Sequence, residues 1–120
     1  MDEILRKTLL FDFYGDLLTT HQKNVYENIV FNDFSISEVA RDSNISRQSV
    51  HEMIRRCNEL FEKYENTLHL VEKFEKNKDG IRKIKEYALK IKETTDTYNT
   101  DNNTYIDKII ELSDEMLDDM

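Results

Sequence analysis

The sequence predicts an all-α protein: a helix-turn-helix bundle carrying a long C-terminal helical extension. Three observations predict it. The 120 residues hold no proline and only two glycines, so little interrupts a helix. Apolar residues recur at spacings of three and four along most of the chain. The stretch "SISEVARDSNISRQSVHEMIRR", residues 35–56, reads as a helix, a tight turn and a second helix.

The elements follow in order. In "DEILRKTLLFDFYGDLL" the residues Ile4, Leu5, Leu9, Leu10, Phe11, Tyr14, Leu17 and Leu18 form a helical stripe, which Gly15 weakens or ends. Thr19 with Gln22 matches a capping box, in which each side chain satisfies an orphan amide at a helix start. The second helix runs through "HQKNVYENIVF" and buries Val25, Tyr26, Ile29 and Val30. After the short connection "NDF", Ser35 and Glu38 form another box and open a helix over "ISEVARDS". Asn44 takes the turn, because asparagine tolerates a left-handed backbone better than most residues. Ser46 caps the next helix, whose stripe from Val50 through Met53, Ile54, Cys57, Leu60, Phe61, Tyr64, Leu68 and Val71 to Phe74 carries it toward residue 76.

"NKDG", residues 77–80, is the expected break, with Gly80 ending one helix and Asp79 starting another over 80–94. Leu70, Phe74, Asn77, Ile81, Ile84, Ala88 and Ile91 alternate spacings of four and three, a heptad seam across that break. The domain reading is a helix-turn-helix domain over 1–66, a helical extension over 67–94, a polar linker over 95–104 and an acidic helix over 105–120.

Within 36–56 the packing logic is local. Ala40 stands where two helices cross, and its small side chain lets them approach. Asn44 makes the turn, and Ile45, Val50, Met53 and Ile54 fill the space between the helices.

These residues carry a resemblance. "LTTHQKNVYENIVFNDFSISEVARDSNISRQSVHEMIRRCNEL" resembles the C-terminal DNA-reading domain of bacterial sigma factors, with its L-T-x-x-Q opening, S-x-x-E-I-A helix and V-S-x-x-x-V recognition helix. "LLFDFYGDLLTTHQKNVY" followed by "SISEVARDSNISRQSVHEMIRRCNELFEKYENTLHLVEKF" resembles the YlxM family more closely. The similarity covers residues 4–76 strongly and 77–95 loosely, and leaves 96–120 unmatched. It implies a sigma-factor-like, all-helical fold and a regulatory role in the signal recognition particle pathway. The partners it implies are the particle's protein or RNA, and by homology duplex DNA.

Charge bears on those partners. The chain carries a formal −8, unevenly placed: −4 over 1–46, +3 over 47–95 and −7 over 96–120. Only the middle suits a polyanion. The expected nucleic-acid-binding face is the start of the second helix of the unit: Arg47, Gln48, Ser49, His51 and Glu52, with Arg55 and Arg56 a turn further. Arginine bonds guanine, glutamine bonds adenine and serine holds phosphate. Arg6, Lys7, Lys23 and Arg41 contribute only if the fold gathers them there. The lysines and arginine of 73–92 are interleaved with acids and read as a solvated helix surface.

Leu70, Phe74, Ile81, Ile84, Ala88 and Ile91 are the candidate dimerisation residues, since they present more apolar stripe than a 66-residue head can cover. The partner is a second copy, giving a homodimer through 68–94, or the chain's own C-terminal helix with Ile106, Ile109, Ile110, Leu112 and Leu117. Cys57 has no second cysteine and lies on the core stripe. His21, His51 and His69 are scattered, without ligand spacing. No metal, cofactor or catalytic constellation is therefore expected, and the chain is not read as an enzyme. With no apolar run long enough to span a membrane, the expected location is the cytoplasm.

Overall fold

The computed structural model describes residues 2–94 and 100–118. Among these described residues six helices follow one another: α1 Glu3–Tyr14, α2 Thr20–Val30, α3 Ile36–Ser43, α4 Arg47–Leu68, α5 Leu70–Thr94 and α6 Thr100–Asp118, with one 3-10 turn at Gly15–Leu17. The fold is the all-α helix-turn-helix bundle that the sequence predicts. It divides into two units, one through Val71 and one from Glu72.

Side chains set the helix starts of the first unit. Asp2 accepts from the Ile4 amide at 3.2 Å and caps α1. Thr19 and Gln22 form the expected reciprocal box, each side chain taking the other's amide, at 3.2 and 2.9 Å. Ser35 and Ser46 cap α3 and α4 through the amides of Glu38 and Ser49, both at 3.0 Å. Asn44 adopts the left-handed conformation, φ 56° and ψ 44°, and its amide returns to the carbonyls of the last turn of α3. Gly15 ends α1 without using its conformational freedom, since its φ is −59°. Its missing side chain matters instead: a Cβ there would meet the Phe11 ring at 3.3 Å.

Helices α2, α3 and α4 enclose the first core. Val25, Val39, Ala40 and Val50 are buried together, with Ile29, Ile36, Ile45, Met53 and Ile54 packed around them. Val50 has no exposed surface at all. The small residue at the crossing and the apolar residues around the turn thus meet as the spacing predicts. An aromatic layer joins α1 to this core. Tyr26 meets Phe61 edge to face at 5.3 Å and stacks on Phe11 at 5.7 Å, and its hydroxyl donates to Asn58 at 2.8 Å.

The end of α4 differs from expectation. The helix stops at Leu68, not near residue 76, and the next helix runs unbroken through "NKDG". His69 makes the stop, left-handed at φ 56°, with its amide on the Glu65 carbonyl at 2.8 Å. Glu65, buried, then receives the Val71 amide at 3.0 Å and the Tyr14 hydroxyl at 2.6 Å, while Tyr14 accepts from the Leu70 amide at 3.3 Å. Two orphan amides of the new helix are satisfied by side chains, Glu65 six residues back and Tyr14 fifty-six back, and the second is beyond any local pattern. Gly80 costs a helix interior only about 1 kcal/mol, too little to end α5 without such partners.

In the second unit α5 and α6 run antiparallel. Lys85 pairs with Asp114, and Lys92 with Asp107 at 2.7 Å, so seven residues forward on one helix match seven back on the other. Among the described residues, Ile81, Ala88, Ile106 and Ser113 are buried in it. Of the seam read from sequence, Ile81 and Ala88 are therefore covered inside the chain, Leu70 and Phe74 are half-buried, and Asn77, Ile84 and Ile91 are exposed. Helix α6 begins at Thr100, inside the stretch expected as linker. Once the Tyr105–Leu117 stripe nucleates a helix, polar residues ahead of it extend the helix at little cost. Linker residues 95–99, like 119–120 of the acidic tail, lie outside the described residues.

Three outcomes test this packing. Ala40→Leu overpacks the α3–α4 crossing and should lower stability by about 1–3 kcal/mol, read as a reduced denaturation midpoint. Gly80→Ala sets a side chain in open space within a helix and should raise the melting temperature, by the ~0.5–1 kcal/mol that glycine costs there. Burial, then the Glu65 hydrogen bond, pushes Tyr14 up to about 12; burial likewise pushes Tyr26 up to about 12. Both phenols favour the neutral form when folded, so their contribution is complete below the unfolded value near 10. It should be lost as pH rises toward 12. The urea midpoint should fall across that window, and Tyr14→Phe should flatten the fall.

Candidate nucleic-acid interface

The site is the first three turns of α4. Ser46 fixes where the helix starts, and its hydroxyl also bonds the Ser49 hydroxyl at 2.8 Å. Val50, Met53, Ile54 and Cys57 face the core, which turns the alternate positions outward. Arg47, Gln48, Ser49, His51, Arg55 and Arg56 are exposed, and Glu52 is half-buried. All seven residues expected at the interface thus lie on one helix and outside its core stripe. An open groove of about 560 Å³ runs beside them, with Gln22 of α2 on one side and Gln48, Ser49, Glu52 and Arg56 on the other.

Electrostatics divides the seven. Glu52 accepts from Arg55, through Nε at 3.0 Å and through a guanidinium nitrogen, and from Arg56 Nε at 3.1 Å. Arg55 also bonds Glu59. The hydrogen bond from Arg55 is the main cause holding the Glu52 carboxyl below the usual carboxylate range, with Arg56 adding to it. Glu52, and after it Glu59, raises the Arg55 guanidinium above its ordinary value. Two of the three cations are thereby engaged along the helix, whereas Arg47 makes no ion pair among the described residues. Sequence reading placed Glu52 among the contacts and passed over Glu59. The signal was present: an acid at 52, cations at 55 and 56 and an acid at 59 stand three and four apart on one helix.

Arg6, Lys7 and Lys23 are each paired with an acid outside this set. Arg6 bonds both oxygens of Glu62, at 2.8 and 3.1 Å, about two turns beyond Arg56. Lys23 pairs with Asp16 at 2.7 Å, which lowers Asp16 and raises Lys23 from their ordinary values. Lys7 lies 3.7 Å from Glu3. Cys57, directly beneath the site, is buried, and burial pushes its thiol up, away from the reactive thiolate. Among the described residues no group of three His, Cys, Asp or Glu side chains could hold a metal ion, and no helix is long and apolar enough to cross a membrane.

Comparison with known proteins places this geometry. A family model described as "Putative helix-turn-helix protein, YlxM / p13 like" matches residues 1–115, further along the chain than the motifs themselves reach. A UPF0122 protein of Clostridium acetobutylicum is 39% identical over 111 residues, covering 91% of this chain and 92% of its own. The UPF0122 protein YlxM of Bacillus subtilis is 39% identical over 93 residues, 78% of this chain and 84% of its own. A UPF0122 protein of Staphylococcus epidermidis is 44% identical over 82 residues, 68% and 74%. With its helix-turn-helix formed, capped and packed, the chain belongs to the YlxM / p13-like helix-turn-helix family, UPF0122.

Proposed function

We propose that the chain is a cytoplasmic regulatory protein that acts by binding rather than catalysis, with the first turns of α4 as its nucleic-acid-reading surface. One observation carries this: Arg47, Gln48, Ser49 and His51 stand exposed on the helix start that Ser46 fixes, with their backbone anchored by the fully buried Val50. That is where a recognition helix meets base edges and phosphates. The family resemblance supports placing the protein in the signal recognition particle pathway, with the particle's RNA or protein as partner. The chemistry of α4 supports nucleic acid.

The Glu52 clamp favours a second reading. A face whose cations are already paired with acids neutralises few phosphates, and phosphate neutralisation dominates affinity for duplex DNA. Such a helix-turn-helix also serves as a rigid scaffold for a protein partner.

Binding of the whole chain to a random-sequence duplex library, to particle RNA and to the particle's protein, each at low salt, separates these readings. If nucleic acid is read, Arg47→Ala and Gln48→Ala should each weaken it about fivefold to a hundredfold while helicity is unchanged, the range of one base contact of ~1–3 kcal/mol. Glu52→Gln should do the reverse. It releases Arg55 and Arg56, tightens binding, and steepens the salt dependence by roughly one phosphate. Retention of the particle's protein alone, with neither nucleic acid bound, would replace the first reading by the scaffold.

A further inference from the structure

The second unit buries one side of its two helices and leaves a second apolar stripe on each. On α5 the stripe is Ile84, Tyr87 and Ile91; on α6 it is Ile109, Leu112 and Met116. None is incidental in size or exposure: Ile84 is 53% exposed and Leu112 58%. Each stripe bears the same rotational relation to the buried face. Ile84 and Ile91 follow the buried Ile81 and Ala88 by three residues, as Ile109 and Met116 follow the buried Ile106 and Ser113. In antiparallel helices that face each other, equal offsets lead to the same side of the pair. The register set by Lys85–Asp114 and Lys92–Asp107 therefore brings the two stripes into one surface. Half of a large side chain's ~150–250 Å² is exposed at each position, so six present roughly 500–600 Å². That lies at the upper end of the ~300–600 Å² of the largest apolar patch on a typical monomer, a patch that is often functional. It approaches the ~800 Å² that each partner of a stable interface buries, and the stems of the flanking lysines add to it.

We propose that this surface is the interface with a second copy of the chain, the two hairpins closing face to face into an antiparallel four-helix bundle. Charge selects the copy and its orientation. The residues one before the stripe are Lys83, Glu86 and Lys90 on α5 and Lys108, Glu111 and Glu115 on α6; all six are exposed. One edge of the surface is thus net basic and the other net acidic. A two-fold axis parallel to the helices lays α5 of one copy on α6 of the other, basic edge on acidic edge, repeating between chains the pairing that Lys85 and Asp114 make within one. A two-fold axis across the helices lays α5 on α5 and sets lysines against lysines. The first arrangement is the one proposed, with Lys83 opposite Glu115 of the partner.

Light scattering of the full chain across micromolar concentrations tests it. The expected mass is twice that of one chain, shifting toward one at high salt. Ile84→Glu and Leu112→Glu, each at an exposed position, should each give the single-chain mass with the helical circular dichroism retained. Lys83→Glu and Glu115→Lys should each weaken the dimer, and together they should restore it. A constant single-chain mass for the wild type, or a dimer that both apolar variants leave intact, overturns the interface. A dimer strengthened by Lys83→Glu alone, or unrestored by the pair, overturns the orientation.

Discussion

Glu65 Oε1 receives two donors at once, the Tyr14 hydroxyl from the end of α1 and the Val71 amide from the start of α5. A buried carboxylate is costly unless its lone pairs are met, so these bonds constrain geometry more than they add net stability. They set the end of α1 against the last turn of α4, and they fix where α5 begins. With Tyr14 held, Phe11 one turn earlier is directed at Tyr26 and Phe61, and the aromatic layer follows. Helix α4 inherits its position from this chain of contacts. Its outer residues have no packing of their own to orient them, so the far end of the same helix matters to what the near end presents.

The candidate interface shows how an acidic protein can carry a DNA-reader's fold. Charge is not neutralised on average over the chain; it is paired locally. Arg55 and Arg56 on α4, Arg6 across to α4 and Lys23 near the start of α2 each have an acid at hydrogen-bond distance. Those exposed pairs contribute little to stability. Their consequence is for recognition: the cations are present, and what a ligand must do is displace a carboxylate.

Much of this was legible in the sequence because the signals were local. The Thr19–Gln22 box, the Ser46 cap, the left-handed Asn44 and the small Ala40 each act within a few residues of themselves, and each does so here. The seven expected interface residues share one exposed helix for the same reason, since periodicity alone separates them from Val50, Met53, Ile54 and Cys57. What was not legible depends on distance. The stop at His69 rests on Tyr14, more than fifty residues earlier, and histidine is a weaker sign of a positive φ than the glycine or asparagine that usually ends a helix. Glycine at 80 suggested a break that no side chain was there to complete. The heptad seam joined the buried Ile81 and Ala88 to the exposed Ile84 and Ile91, because two stripes lie side by side on α5 and periodicity does not say which one the chain itself will cover.

The single thiol sits where it can report on all of this. Cys57 is 1% exposed, on the inner side of α4 between the helix-turn-helix core and the aromatic layer. No other sulfhydryl competes with it. A thiol reagent can reach it only when α4 lifts from the helices it packs on, so the rate of its alkylation in native buffer measures how often the first unit opens. The protein thus carries a built-in clock for its own breathing, read without denaturant.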